Sequence, residues 1–146
     1  MTRLDTTHNK RNGSVGECLV TAELLKRSWV VSTPEGDYAP YDRIATKGPF
    51  TQKIQVKSAS HQNGSTFKWT LGSGRNKRKT HPLQDISFYI FTIVPANIFL
   101  VVPYDLIIGL KTLSLTTAKA TIEHSKYFRF VGSWGLLENK GYKDVI

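Results

Sequence analysis

Apolar positions along the chain come in short clusters, most of them alternating with polar residues at a period of two. In "FTQKIQVKS", Ile54 and Val56 face one way while Lys53, Gln55 and Lys57 face the other, the pattern of a half-buried strand. "WVVS" and "YDRIAT" read as shorter strands, with "TPEGDYAP" as a loop and "KGP" as a turn. "DISFYIFTIV" and "NIFLVVP" are continuous apolar runs joined by "PAN", which predicts two buried strands. "FKWTL" is a strand candidate within the polar stretch 58–82, and "YDLIIGL" fits a brief helix. From Lys111 onward the pattern weakens: "TTAKATIEHSKYF" fits a helix or a loop, and "YFRFVG" a short strand.

One segment has a helical signature. In "SVGECLVTAELLKRSW", Ser14 is a good N-cap and Glu17, three residues on, completes a capping-box pattern. At ~100° per residue, Gly16, Glu23 and Arg27 share one face with Lys26 at its edge. Val15, Cys18, Leu19, Ala22 and Leu25 lie mostly away from it. Glu17 falls roughly 100° from the Glu23/Arg27 centre and points sideways, towards whatever the helix packs on. Residues 1–13, before this helix, read as a flexible basic arm. One helix, several strands and then mixed elements predict a single α/β domain.

Composition narrows the function. The 146 residues fit one domain with a real core. Twenty Lys+Arg against eleven Asp+Glu give a net charge of +9, which favours a polyanionic partner, most simply nucleic acid. The single cysteine, Cys18, excludes an intramolecular disulfide, and four scattered histidines give no zinc-site spacing. "MTRLDTTHNKRNG" has no apolar signal core, and the apolar runs are too short to span a bilayer. The expectation is a cytoplasmic protein with no membrane partner, acting at the nucleoid.

If the "YDRIAT" strand lies beside "FTQKIQVKS", Asp42 shares the face of Gln55 and Lys57, and Glu17 leans over the same spot from the helix. In this order "GSVGE", "PYDRIA" and "IQVKS" resemble the PD-(D/E)xK nuclease pattern: a helix glutamate, an aspartate opening a strand, and acid-x-lysine on the next strand. "NGSVGECLVTAELLKR" also looks like the start of the archaeal Holliday junction resolvases of the same superfamily. Gln55 departs from the pattern, standing where Asp or Glu is usual. With this chain length, it is similar to the group I intron homing endonucleases of cyanobacterial type.

The resemblance implies a restriction-endonuclease-like α/β fold: a mixed central sheet flanked by helices, in one domain. It also implies a metal-dependent endonuclease hydrolysing phosphodiester bonds at specific sites in double-stranded DNA. Glu17, Asp42, Gln55 and Lys57 would be catalytic. Asp42, Gln55, the Val56 backbone carbonyl and Glu17, directly or through water, would hold Mg²⁺ or Mn²⁺. Lys57 would contact the scissile phosphate or position the attacking water.

DNA contacts are expected from Lys10 and Arg11 in the arm, from Lys47, Lys53 and Ser58 near the site, and from Lys68 on the "FKWTL" strand. Arg75, Lys77, Arg78 and Lys79 lie in a basic DNA-contacting loop, 72–82. One small domain carries one set of catalytic residues, so cutting both strands favours a homo-oligomer: a two-fold dimer, or a tetramer as the intron enzymes imply. Tyr127, Phe128, Phe130, Trp134 and Leu136 supply either core or interface. Two other readings compete: a junction-selective resolvase, and a non-catalytic DNA-binding module whose site has decayed at Gln55.

Overall fold

The computed structural model describes residues 2–3, 6–36, 38–71, 85–118 and 125–138. The elements are β1 (Thr2–Arg3), α1 (Thr6–Lys26), β2 (Val30–Ser32), β3 (Arg43–Lys47), β4 (Phe50–Ser58), β5 (His61–Asn63), β6 (Thr66–Thr70), β7 (Phe88–Ile93), β8 (Ile98–Pro103) and β9 (Thr112–Thr116). They form two sheets. A mixed five-stranded sheet has the order β2-β3-β4-β7-β8, and an antiparallel one the order β1-β5-β6-β9. In the mixed sheet β2, β3 and β4 are an antiparallel meander, β4 runs parallel to β7, and β7 and β8 form a hairpin.

Strand β7 is buried along its whole length, as a continuous apolar run between two neighbours requires. Its two faces meet different layers. Helix α1 covers the face that carries Ile54, Val56 and Ser58 of β4 and Ile90 and Thr92 of β7. The closest approach is at Gly16, where an added Cβ would overlap Ser58 Oγ and lie 2.8 Å from Thr92 Oγ1. On the other face the second sheet packs through Trp69, whose ring meets Phe91 at 5.5 Å and whose indole N–H donates to the Thr92 carbonyl at 3.2 Å. The expected mixed sheet is therefore flanked by one helix and a second sheet among the described residues.

The helix begins eight residues before the expected cap. Residues 6–13, expected as part of a flexible arm, are its first two turns, and Thr2–Arg3 pair with β5. Ser14 and Glu17 are thus interior residues, so Glu17 is free of a capping role. The buried stripe is Gly16, Val20 and Leu24, whereas Val15, Cys18, Ala22 and Leu25 are exposed. The helix ends in a Schellman motif. Ser28 is left-handed at φ 67°, and the Trp29 and Ser28 N–H groups donate to the Leu24 and Leu25 carbonyls at 3.0 Å each. The buried Trp29 and Leu24 side chains complete the motif.

Two expectations for the chain after Lys111 change. Residues 112–116 form β9, whose Leu113 and Leu115 are buried. "YFRFVG" is not a strand: Phe128–Phe130 is a 3-10 turn, and only Val131 bridges to Leu100 of β8. Phe130, Trp134 and Leu136 are buried and belong to the core, while Tyr127 packs against it and Phe128 remains exposed.

Candidate active site

The centre of the site is the place where β3 parts from β4. Arg43 is the first residue of the β3 ladder, opposite Ile54, and the Asp42 N–H already donates to the Ile54 carbonyl at 2.8 Å. Beyond this point the Val56 N–H has lost its ladder partner. The Asp42 side chain supplies one: its Oδ2 accepts from Val56 N at 2.8 Å. Pro40, two residues earlier, lacks an N–H and cannot extend the pairing as a donor. In a strand the N–H and C=O of one residue point to the same side, so the Val56 carbonyl is directed to the same open edge.

Glu17 reaches this edge from α1. Its carboxyl lies beside that of Asp42, near enough for each to act on the other's protonation, and is 3.8 Å from the Arg43 guanidinium. Lys57 is close enough to act on the Asp42 charge. Alternation along β4 turns Gln55 and Lys57 away from the face that Ser58 presents to the helix, so they reach the edge from the other side. Gln55 pairs in register with Tyr89 of β7. Glu17 and Asp42 come together at the edge, while Lys57 and Gln55 stand on the opposite face from the helix, so the four expected residues do not share one face.

Two carboxyls this close affect each other's protonation. Burial raises the Glu17 carboxyl above the ordinary carboxylate range, the neighbouring Asp42 charge raises it further, and Arg43 counteracts them in part. Burial also raises Asp42, against the opposing pull of the Val56 N–H, the Glu17 hydrogen bond, Lys57 and Arg43. Both carboxyls therefore favour the neutral form more than free ones do, and a cation bound between them would favour their charged forms. Among the described residues no three His, Cys, Asp or Glu side chains cluster as metal ligands. The oxygen donors available are two carboxylates, one carboxamide and a main-chain carbonyl, a set that suits a hard divalent ion.

Two neighbours of the site were not singled out by the sequence. Arg43 bonds Thr21 Oγ1 at 2.9 Å and the Asp42 carbonyl at 2.7 Å. Its sequence signal was faint: one step from Asp42, it alternates to the helix-facing side. Tyr89, within an unbroken apolar run, has its hydroxyl pushed up to about 12 by burial, by Tyr104 and by the Asp42 charge. Periodicity alone does not distinguish it from its core neighbours.

The expected DNA contacts fare unevenly. Lys10 and Arg11 are exposed on the first turns of α1 rather than on an arm. Lys53 lies over the Tyr41 ring at 5.4 Å, on the Gln55/Lys57 face. Lys68 stands on the polar face of the second sheet, paired with His61 and Ser114, so its strand belongs to a four-stranded sheet rather than a free ribbon. Lys47 is not near the site. It lies at the far end of β3, where it pairs with Glu138 at 2.7 Å. Ser58 is turned beneath the helix, donating to the Asn12 carbonyl at 3.0 Å and contacting Thr92 Oγ1 at 2.9 Å. Its hydroxyl is engaged in these contacts beneath the helix. Residues 72–82, with Arg75, Lys77, Arg78 and Lys79, fall outside the described residues.

Comparison with known proteins bears on the fold and the family. The chain is similar to a solved bacterial homing endonuclease, I-Ssp6803I, at a TM-score of 0.77 and 22% identity, over 93% of this chain and 95% of that one. At that identity the likeness establishes the shared fold. A comparison with curated protein sequences found no match. A family model described as PD-(D/E)XK endonuclease matches residues 7–137, a span holding Glu17, Asp42, Gln55 and Lys57. The chain therefore belongs to the PD-(D/E)XK endonuclease family.

Proposed function

We propose that this protein is a divalent-metal-dependent endonuclease that cuts double-stranded DNA at specific sites, in the manner of an intron-encoded homing enzyme. The observation that carries this reading is the pairing of two carboxyls at the open edge of β4: Asp42, fixed by the Val56 N–H at 2.8 Å, and Glu17, 3.8 Å from the guanidinium of the adjoining Arg43, with Lys57 within electrostatic reach of Asp42. Two acids brought together in a half-buried place destabilise the fold, and a cation that must be held offsets that cost.

The ion would be held by Asp42, the Val56 carbonyl, the Gln55 amide oxygen and Glu17, directly or through water. Mg²⁺ and Mn²⁺ both suit such oxygen donors. When bound, the ion supplies Lewis acidity and a more acidic water. The protein's own groups do the rest. Asp42 anchors the site because its carboxyl is fixed by the Val56 N–H at 2.8 Å. Lys57 offers an ammonium group to the scissile phosphate or to the attacking water, where negative charge grows in the transition state. Gln55 contributes orientation and a neutral oxygen, so this site binds its cation with one formal charge fewer than an acid there would provide.

The net charge of +9 fits a DNA partner held largely through phosphates. Lys53, on the face of Lys57, is placed to take part, together with the basic loop. One site per chain calls for a dimer or a tetramer to cut both strands. No helix among the described residues is long and apolar enough to cross a membrane, and the reading places the enzyme in the cytoplasm, at the nucleoid.

The test is cleavage-site selection from randomised duplex DNA with Mg²⁺, run beside Lys57→Ala. A discrete site cut by the unaltered protein and spared by Lys57→Ala supports the reading. Gln55 favours one competing reading, a binding module with a decayed site. Sequence-selective binding without any cleavage would establish that alternative.

A further inference from the structure

We infer that Arg43 is a positioning residue for the acid pair, clamping the helix turn that bears Glu17 to the strand start that bears Asp42. This rests on the reading of the pair as a cation site. The Arg43 side chain is only 14% exposed, although it ends among three charged or polar partners from two elements. Its strong hydrogen bonds go to neutral acceptors: Nε to the Thr21 hydroxyl at 2.9 Å, and Nη1 to the Asp42 carbonyl at 2.7 Å. The Thr21 hydroxyl in turn donates to the Glu17 carbonyl at 2.9 Å. A chain of bonds therefore runs from the Asp42 backbone through the guanidinium and Thr21 to the Glu17 backbone.

The Glu17 carboxylate is only 3.8 Å from Nη2, beyond hydrogen-bond range. Arg43 thus places a fixed positive charge beside the two acids without occupying their oxygens. A guanidinium is suited to this because its planar fork serves several acceptors in fixed directions; a lysine ammonium on a flexible stem would not hold both elements. The arrangement suits a site with an amide at position 55, where one misdirected carboxylate would leave few charged oxygens for an ion.

The inference is tested with Arg43→Gln, Thr21→Val and Asp42→Ala, each shown to be folded by thermal melting. Mn²⁺ binding is followed by the EPR signal of the free ion, and cleavage is measured on a duplex that the unaltered protein cuts. Loss of a nearby cation would, by Coulomb attraction alone, tighten Mn²⁺ binding. Loss of a clamp would weaken it. We expect Arg43→Gln to weaken Mn²⁺ binding about tenfold, the usual effect of removing a group that orients a ligand. Thr21→Val, which keeps the guanidinium but removes its helix anchor, should act in the same direction. Should Arg43→Gln fail to fold, Thr21→Val alone decides. Unchanged or tighter binding in the folded variants, with Asp42→Ala losing it, overturns the clamp. Asp42→Ala binding Mn²⁺ as the unaltered protein does would instead remove the cation site itself.

Discussion

The Asp42 carboxylate takes the Val56 N–H at 2.8 Å in place of a backbone partner. One side chain thereby closes the open edge of β4 and lies beside Glu17, within reach of the Lys57 charge. Structural and chemical roles are therefore joined at Asp42, and two substitutions separate them. Asp42→Asn keeps an acceptor for Val56 and removes a charge that burial penalises. It should abolish Mg²⁺-dependent cleavage while leaving the melting temperature of the metal-free protein equal or higher. Asp42→Ala removes the acceptor as well and leaves an N–H unpaired, a cost of about 1–3 kcal/mol set against relief of the desolvated charge. It should melt below Asp42→Asn. An Asn variant that cuts DNA normally would contradict the metal-anchoring role.

Protonation of the pair predicts opposite effects of pH on stability and on metal binding. Burial raises the Glu17 and Asp42 carboxyls above their unfolded values, so the folded state holds protons more tightly than the unfolded one. Their contribution to stability is fully present below the ordinary carboxylate range. It is lost as pH rises through the raised values. The metal-free protein should therefore lose stability from this source as pH rises above the ordinary carboxylate values of ~4. Cation affinity should move the other way, rising with pH as the two carboxyls ionise. Melting curves with and without Mg²⁺ across this range read both trends, and an effect of Mg²⁺ independent of pH would exclude competition with a proton.

The site was more legible in the sequence than the helix that carries part of it. The spacing of Asp42, Gln55 and Lys57 follows strand alternation and a two-residue turn, both local rules, and β4 spans the residues that the pattern marks. The start of α1 was misread because Ser14 and Glu17 imitate a cap, whereas residues 6–13 carry no apolar periodicity to announce a helix. The apolar positions Val15, Cys18, Ala22 and Leu25 also misdirect, since they are exposed. Packing is governed instead by Gly16, which lets the helix approach Ser58 and Thr92. Strand β9 alternates well in "TLSLT", but its partner β6 lies over forty residues earlier and no local signal links them. That Glu17 and Lys57 approach from opposite faces depends on where β3 leaves β4, a tertiary fact with no one-dimensional trace.

Gly16 should be sensitive for the same reason. A Cβ there would overlap Ser58 Oγ and come within 2.8 Å of Thr92 Oγ1, and both hydroxyls are already hydrogen-bonded to each other. Gly16→Ala should cost about 1–3 kcal/mol by overpacking, despite the better helix propensity of alanine. Because Glu17 is the next residue, cleavage should fall as well. Adding Ser58→Ala removes the main obstacle and should recover much of the stability. Additive losses in the double variant would show that the close approach is not what limits this position.

Lys57→Ala should leave the fold intact, since the side chain is half-buried and on the opposite face from the helix contact. Loss of one group stabilising transition-state charge typically costs about 10²–10³-fold in rate, so cleavage should fall by at least that much while duplex binding changes little. Binding by both proteins should weaken steeply with salt, as counterion release requires. Titrations at several ionic strengths provide the check. A variant that cleaves normally, or binding indifferent to salt, would detach the lysine or the basic surface from the proposed reaction.

Gln55→Glu restores the acid that the family pattern expects and tests what the amide does. A third carboxylate beside Glu17 and Asp42 adds like charge at short range. The metal-free variant should therefore be less stable at neutral pH, with the Glu17 and Asp42 carboxyls raised further. Mg²⁺ then neutralises more repulsion and gains a charged ligand, so its affinity should rise. Binding to the folded state raises stability by RT ln(1 + [L]/Kd), so the Mg²⁺-induced rise in melting temperature should be larger in Gln55→Glu than in the unaltered protein. The rate of cleavage is a separate quantity, because a tighter ion can still be held in an unproductive position. An equal Mg²⁺-induced shift in the two proteins would mean that position 55 does not face the ion.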